Sequence, residues 1–223
     1  MRNAKPKIQF MPFSQKWILY EDAQLLFVNK PSGLLSVPGR NADPLACLIG
    51  QLNIYCPGTL IVHRLDMDTS GIMVIAKDKA THKALSRQFQ DRETRKQYQA
   101  VCSGIASQKN GTISQPMRCD WENRPVQMID FKQGKYAKTN WTIIKQATDN
   151  FQILLEPITG RSHQLRLHMK QLGHPILGDN LYANPQSLNH SKRLLLHASS
   201  LKIIHPTSQQ PLHIKNTAEF WHI

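Results

Sequence analysis

The chain has 223 residues, which is enough to bury a hydrophobic core as one large domain or two small ones. It contains 28 Lys and Arg residues against 15 Asp and Glu residues, a formal net charge of +13. This positive excess predicts nucleic acid as the partner, since no basic amphipathic helix suited to a lipid surface is present. No apolar run approaches the roughly 18 residues of a membrane-spanning helix, no secretory signal is recognisable, and no CxxC pair occurs. These features indicate a cytoplasmic protein with reduced cysteines and no membrane association.

The strand and helix patterns predict an α+β domain. Residues 1–16 are predicted to form a basic arm, and residues 17–223 a single domain. Short apolar runs predict strands at 17–20, 24–29, 60–65, 71–76, 96–103, 138–146, 151–156 and 193–204. Helical periodicity is present at 79–92 and at 162–172, with Asp78 as a candidate N-cap and Gly173 as a candidate end; the segment 30–40 is rich in Pro and Gly and predicts a loop. Strands without regular helix alternation favour a mixed, largely antiparallel sheet with a few short helices.

The usual motifs of cofactor and metal sites are missing from the sequence. It has no GxGxxG after a strand and no GxxxxGK[ST], the loops that bind dinucleotides and nucleotide phosphates. It has no HExxH, and His163 and His168 are five residues apart, which is a poor spacing for one helix face. A GxSxG nucleophile motif is also missing. The sequence therefore predicts chemistry by side chains alone, with no cofactor and no metal.

One polar segment, HRLDMDTSG at 63–71, lies between two apolar runs. A polar loop at the end of a buried strand is a common place for reactive groups. The same pattern is also typical of a structural turn, in which Asp66 or Asp68 bonds its own backbone and Gly71 supplies an unusual φ angle. Spacing alone favours the structural interpretation.

The whole segment, however, resembles the HRLDxxTSG motif of the RluA family of pseudouridine synthases. Further segments resemble those of the family in the same order: Asn29–Gly33 (NKPSG), Lys96–Ala100 (KQYQA), Ile158–His168 (ITGRSHQLRLH), His174–Asp179 (HPILGD) and Leu194–Ala198 (LLLHA). The resemblance extends over about residues 17–204. It implies the pseudouridine synthase fold with an RNA-binding cleft across the sheet, and an isomerase that converts uridine into pseudouridine in RNA.

The resemblance also implies roles for three side chains. The reaction breaks the N1–C1′ bond of uridine, turns the uracil and joins C5 to C1′. Asp66 matches the catalytic aspartate of the family, acting as a nucleophile at C1′ or as a base at the sugar, and Tyr98 matches the active-site tyrosine. Arg166 matches the arginine expected to pair with Asp66, since a buried carboxylate needs a nearby cation to stay ionised. From the residues alone, Arg161 is an equal candidate for that pairing, and core packing is the better interpretation of Tyr98.

The target uridine must leave its stack before the reaction. Arg64 is expected to fill the vacated space or to hold the flipped nucleotide. The full set of expected substrate-binding residues is Arg64, His63, Lys30, Arg161 and His163. Within this set, His63 is expected to fix its loop. The segment 30–40 is expected either to pack under the site or to grip the RNA backbone through Lys30 and Arg40.

The resemblance is greatest to compact family members that lack an N-terminal S4 domain and modify both a 23S rRNA hairpin and the anticodon stem-loop of certain tRNAs. It implies a single catalytic domain, expected to act as a monomer. One alternative is a non-catalytic RNA-binding protein, which would be expected to lose Asp66, Tyr98 or Arg166. Another is an RNA nuclease that uses His63, Arg64 and Asp66, but this leaves the other matching segments unexplained.

Overall fold

The computed structural model describes residues 11–39 and 43–222, so most of the predicted basic arm and Arg40 lie outside the described residues. The described strands are β1 (Ile18–Glu21), β2 (Leu25–Lys30), β3 (Leu60–Ile61), β4 (Ser70–Ala76), β5 (Arg95–Ser103), β6 (Asn110–Ser114), β7 (Met117–Cys119), β8 (Gln127–Ile129), β9 (Lys138–Gln146), β10 (Asn150–Pro157), β11 (Leu196–Ile204) and β12 (Pro211–Lys215). The described α-helices are α1 (Leu48–Tyr55), α2 (Lys79–Gln90), α3 (Gln164–Gln171) and α4 (Pro185–Asn189). None of these helices is long and apolar enough to cross a membrane.

Within the described ranges, ten strands form one sheet. Eight of them follow the order β1-β2-β4-β11-β5-β10-β9-β6, while β3 pairs with β4 and β12 pairs with β11. The neighbours are antiparallel except for β4 and β11, which run parallel. Strands β7 and β8 form a separate two-stranded hairpin. The predicted fold class, a mixed and largely antiparallel sheet with a few short helices, is confirmed.

Two central strands that form from apolar runs, β2 and β4, are buried on both faces. Along β2, Leu25 and Phe27 pack in a cluster with α2. The alternate residues, Leu26 and Val28, pack on the other face in a cluster with α1. Because successive side chains of a strand point to opposite faces, a strand covered on both sides has a continuous apolar sequence.

The predicted elements agree with the structure in most places. Helix α2 begins after Asp78, whose carboxylate accepts a hydrogen bond from the backbone N–H of Thr81 at 2.8 Å, and α3 ends just before Gly173. The predicted strand at 60–65 is wrong beyond Ile61, because the chain there leaves the sheet as a loop. Helix α1 is not predicted from the sequence, because the polar Gln51 shares its buried face and obscures the apolar stripe.

The parallel pair at the centre of the sheet positions the polar HRLDMDTSG segment. Ala198 of β11 lies in register with Gly71 of β4 on one side and with Tyr98 of β5 on the other. Gly71 has a φ angle of +116°, and a Cβ atom there would lie 2.4 Å from the carbonyl oxygen of Ala198, so only glycine fits. Strands are spaced about 4.8 Å apart, so this register places Tyr98 roughly 10 Å from the start of β4.

Candidate active site

A cleft of about 1100 Å³ opens beside the β3–β4 loop, residues 62–69. It is lined by seven of the eight predicted site residues: Asp66, Tyr98, Arg166, His63, Arg64, Arg161 and His163. Its charged lining consists of five cationic side chains (Arg64, Arg92, Lys96, Arg161 and Arg166) and two carboxylates (Asp66 and Asp68). The cleft therefore combines a positive lining with a carboxylate-bearing loop.

The eighth predicted residue, Lys30, supports the β3–β4 loop from beneath. Its side chain is fully buried. Its Nζ atom donates hydrogen bonds to the carbonyl oxygens of Pro31 at 2.9 Å, Leu34 at 2.7 Å and Met67 at 2.9 Å. The expectation that Lys30 grips RNA is wrong, because a buried ammonium group with three carbonyl partners has no N–H left for a phosphate. The described part of segment 30–40 packs under the site, which was the alternative expectation for this segment.

Two serines of the same segment also hold the loop on either side of Asp66. The hydroxyl of Ser36 donates to the carbonyl oxygen of Leu65 at 2.7 Å and accepts from its N–H at 3.2 Å. The hydroxyl of Ser32 donates to the carbonyl oxygen of Asp68 at 2.6 Å. The backbone that presents Asp66 is therefore fixed by buried hydrogen bonds, which leaves its carboxylate free to face the cleft.

Arg166 has a different ionic partner from the one expected. Its guanidinium donates from Nε to Asp179 Oδ2 at 2.8 Å and from Nη2 to Asp179 Oδ1 at 2.7 Å, and both side chains are buried. No ion pair within the described residues involves Asp66, so the predicted pairing of Arg166 with Asp66 is wrong. A buried guanidinium binds a carboxylate best through two parallel hydrogen bonds, and Asp179 provides that geometry.

Arg166 reaches the β3–β4 loop indirectly, through Asn180. Its Nη2 atom also donates to Asn180 Oδ1 at 2.9 Å, and Asn180 Nδ2 donates to Asp68 Oδ2 at 3.1 Å. The bridge joins the wall formed by α3 to the loop that carries Asp66. Asp68 therefore anchors its loop across the cleft.

Tyr98 lies in the wall of the cleft with its hydroxyl unbonded among the described hydrogen bonds. Burial raises the pKa of Tyr98 well above its usual value, and the charge of Asp66 raises it further. The phenol therefore keeps its proton at neutral pH and is able to donate a hydrogen bond. Asp66 and Tyr98 line the same cleft.

The comparisons with known proteins agree with this geometry. A family model described as RNA pseudouridylate synthase matches residues 24–171. The chain belongs to this family. It is 46% identical over 95% of its length to the dual-specificity RNA pseudouridine synthase RluA of Escherichia coli K12, of which it covers 98%. It is 47% identical over 91% of its length to the protein of the same name from Yersinia pestis, of which it covers 99%. The RluA family membership inferred from the sequence is confirmed, and with it the isomerisation of uridine to pseudouridine in RNA.

A solved structure supports the same assignment. Human RNA Pseudouridylate Synthase Domain Containing 1 is 30% identical, with a TM-score of 0.77, over 91% of this chain and 83% of its own. The pseudouridine synthase fold implied by the sequence is therefore confirmed.

In this pseudouridine synthase, His63 fixes the β3–β4 loop to the sheet. Its Nε2 atom accepts a hydrogen bond from the backbone N–H of Val74 at 3.1 Å, and its ring stacks on Phe89 with centroids 4.5 Å apart. Burial, followed by the nearby charge of Lys96, lowers the pKa of His63 to about 3. The imidazole is therefore neutral at physiological pH, which its role as an acceptor requires.

The other three expected binding residues differ in the hydrogen bonds that their side chains make within the protein. Arg64 is exposed in the cleft and has no hydrogen bond within the described residues. Arg161 is exposed and donates from Nε to the carbonyl oxygen of Tyr136 at 3.1 Å. His163, with a φ angle of 54°, precedes α3, and its Nδ1 is bonded to the hydroxyl of Tyr182 at 2.8 Å. Arg64 is thus the side chain most available to an incoming nucleotide.

Four supporting residues were not predicted as part of the site: Ser32, Ser36, Asp179 and Asn180. Asp179 is the last residue of the HPILGD segment, which helped to identify the family. Its place in that motif was the signal that it has a function. Ser36 and Asn180 have no such signal, because each acts on a loop that is distant in sequence. Their contacts with the β3–β4 loop span 29 residues for Ser36 and 112 residues for Asn180.

Proposed function

We propose that this pseudouridine synthase isomerises specific uridines in hairpin loops of 23S rRNA and in the anticodon stem-loop of some tRNAs. We further propose that it acts as a monomer in the cytoplasm, without a metal or cofactor. The dual target is supported by its bacterial relatives, which are named dual-specificity enzymes and match it over nearly their whole length. Hairpin loops suit such an enzyme because their bases are already partly unstacked and can be splayed out.

The observation that carries the proposal is the placement of Asp66. Its loop is fixed from beneath while the carboxylate faces a positive cleft that Tyr98 also lines. Pockets for small molecules typically occupy roughly 300–1,000 Å³. The cleft, at about 1100 Å³, suits a flipped nucleotide together with its flanking backbone.

Asp66 performs the step at the sugar. As a nucleophile, its carboxylate attacks C1′ and the N1–C1′ bond breaks; as a base, it removes a sugar proton so that the same bond breaks by elimination. In both routes the uracil leaves as an anion, stays in the cleft, turns and bonds to C1′ through C5, which displaces the Asp66 ester or accompanies return of the proton from Asp66 to the sugar. C5 then loses its proton and N1 gains one, so the reaction is a net isomerisation. One carboxylate is enough, in contrast to the two carboxylates of most glycosidases.

Tyr98 and Arg64 act on the base and on its position in the stack. The Tyr98 ring offers a face for the uracil, and its protonated hydroxyl donates a hydrogen bond to the turning base. Arg64, within the loop and without an internal partner in the described structure, fills the space that the flipped nucleotide leaves. The cationic lining attracts the RNA backbone, so binding is expected to weaken as the salt concentration rises.

The experiment compares Asp66→Asn with its matched control Asp68→Asn. Both enzymes are incubated with unmodified transcripts of a 23S rRNA hairpin and of a tRNA anticodon stem-loop, and pseudouridine is counted by mass spectrometry. We expect Asp66→Asn to lose more than about a thousandfold in turnover, or ~4 kcal/mol of barrier, because an amide can neither attack C1′ nor take a proton. RNA affinity should be unchanged, since the amide is nearly isosteric. Asp68→Asn should stay within about tenfold of the wild type, ~1.4 kcal/mol.

Turnover of Asp66→Asn within tenfold of the wild type would show that Asp66 is not the reacting carboxylate. Binding of both stem-loops by the wild type without any pseudouridine would identify a non-catalytic RNA-binding protein. Strand cleavage would identify a nuclease. Modification of one RNA but not the other would contradict the dual target alone.

A further inference from the structure

The turn of the hairpin β7–β8 borders the cleft and carries a large exposed aromatic side chain. This turn, residues 120–126, contributes Pro125 to the cleft lining. In the same turn, Trp121 is 63% exposed. An exposed tryptophan at the edge of a binding cleft is unusual enough to need an explanation, since burial of this side chain is normally favourable.

The turn is held in one shape by its own residues. The N–H of Asp120 donates to the carbonyl oxygen of Val126 at 2.9 Å. The amide of Asn123 donates to the carboxylate of Asp120 at 2.9 Å. Trp121 therefore projects from a preformed turn, so little conformational entropy is lost when a ligand packs against it.

The hairpin is also fixed to the wall of the cleft. The backbone N–H of Gln127, just after the turn, donates to the hydroxyl of Tyr182 at 2.8 Å. That hydroxyl is bonded in turn to His163 Nδ1 at 2.8 Å. A ligand contact at the turn is therefore made at a constant distance from the residues that line the cleft.

The chemistry around Trp121 indicates a nucleic-acid ligand. The guanidinium of Arg124 lies 4.3 Å from the centre of the indole ring, and its Nε donates to the Trp121 carbonyl oxygen at 3.3 Å. An aromatic ring next to an arginine is the combination that binds unpaired bases, with the ring stacking on the base and the cation near the phosphate. A protein partner would be disfavoured by the same cation in a chain of net charge +13 unless that partner were acidic.

We propose that Trp121 stacks on an unpaired base of the RNA substrate outside the reacting nucleotide, while Arg124 contacts the adjacent phosphate. The inference rests on the proposed function, since it takes the same hairpin loops as substrates. It assigns the turn 120–126 as a recognition element that selects RNA with a splayed loop. A paired stem offers no free base and gains nothing from Trp121.

The experiment measures RNA affinity in the Asp66→Asn protein, so that turnover does not change the RNA. The variants are Trp121→Ala, Trp121→Phe and the control Ile105→Ala, a residue that is 68% exposed and does not line the cleft. The probes are an anticodon stem-loop and a fully paired duplex of the same stem. We expect Trp121→Ala to weaken stem-loop binding about tenfold, as loss of one stacked base does, and Trp121→Phe to restore most of the affinity. The stem-loop affinity of Ile105→Ala should stay within about twofold of the Asp66→Asn parent. The duplex affinity of every variant should also stay within about twofold of that parent. In the active enzyme, Trp121→Ala should raise KM and leave kcat unchanged.

Equal stem-loop affinity of Trp121→Ala and the Asp66→Asn parent would overturn the inference while leaving the proposed function intact. An equal loss for duplex and stem-loop would also overturn it, because the contact would then be with the backbone. A change in oligomeric state on Trp121→Ala, measured by light scattering, would assign the patch to a protein interface instead. If the parent bound neither RNA, the proposed function itself would fail.

Discussion

The β3–β4 loop and the β7–β8 turn border the same cleft but are supported in different ways. The loop is held by buried side chains from a distant segment, including Lys30 and Ser36. The turn is held by bonds among its own residues and exposes Trp121 to solvent. The contrast follows from their tasks, since a reacting carboxylate tolerates little displacement, whereas an RNA loop can adapt to a surface side chain. Changes around the loop should therefore reduce stability or turnover, and changes in the turn should reduce RNA affinity alone.

The largest effect on stability is expected from Arg166→Met. The substitution leaves Asp179 buried without its cation, and removal of one partner from a buried ion pair costs about 3–5 kcal/mol. Urea unfolding followed by circular dichroism measures the free energy of unfolding. The control is Arg161→Met, which removes an exposed side chain with one hydrogen bond and should cost less than about 1 kcal/mol. Equal stability of the two variants would contradict the structural role of the Arg166–Asp179 pair.

A smaller, pH-dependent effect is expected from His63. Its pKa is about 3 in the folded protein and 6.5 when unfolded, so between these values the unfolded chain binds more protons. The free energy of unfolding should therefore fall as the pH is lowered from 6.5 towards 3, by up to about 1.4 kcal/mol per pH unit from this group. His63→Phe keeps a ring against Phe89 and does not titrate, so its unfolding free energy should depend less on pH. The measurement is urea unfolding at pH 6.5, 5.5 and 4.5.

A turn variant serves as the reference for His63. Trp121 lies in a turn without histidine. The unfolding free energy of Trp121→Phe should therefore keep the full pH dependence of the wild type. Parallel pH dependences of the wild type and His63→Phe would show that the histidine is not held neutral by the fold.

The smallest effect on stability is expected from Asn180→Ala. Asn180 is exposed, so its removal should cost less than about 1 kcal/mol. Turnover should nevertheless fall several-fold with RNA affinity unchanged, because the β3–β4 loop loses its link through Asp68 to the opposite wall. Asn180→Asp places two carboxylates opposite each other, so its turnover should be lower than that of Asn180→Ala.

Exchange of the two groups tests this link directly. The double variant Asp68→Asn/Asn180→Asp restores one donor and one acceptor, and should recover much of the turnover that Asn180→Asp loses. If the loss of turnover in the double variant, expressed as free energy, equals the sum of the losses in the two single variants, the two residues do not act as a pair.

Much of the fold was predictable because its central strands β2 and β4 are buried on both faces and its helices carry local signals. Asp78 caps α2 and Gly173 follows α3, as predicted from residue type alone. The hairpin strands β7 and β8 are three residues each, too short to show the alternation that predicts a strand.

By itself, the sequence determined the family, the fold class, and the chemical groups that meet in the cleft, because these depend on residue types in a fixed order. Only the tertiary structure decided which partner each charged side chain binds. Arg166 binds Asp179 rather than Asp66, and Lys30 binds three carbonyl oxygens rather than RNA. The reason is physical: a buried cation takes the partner whose geometry satisfies its N–H groups. That partner is set by the packing of segments far apart in the chain, which no local pattern encodes.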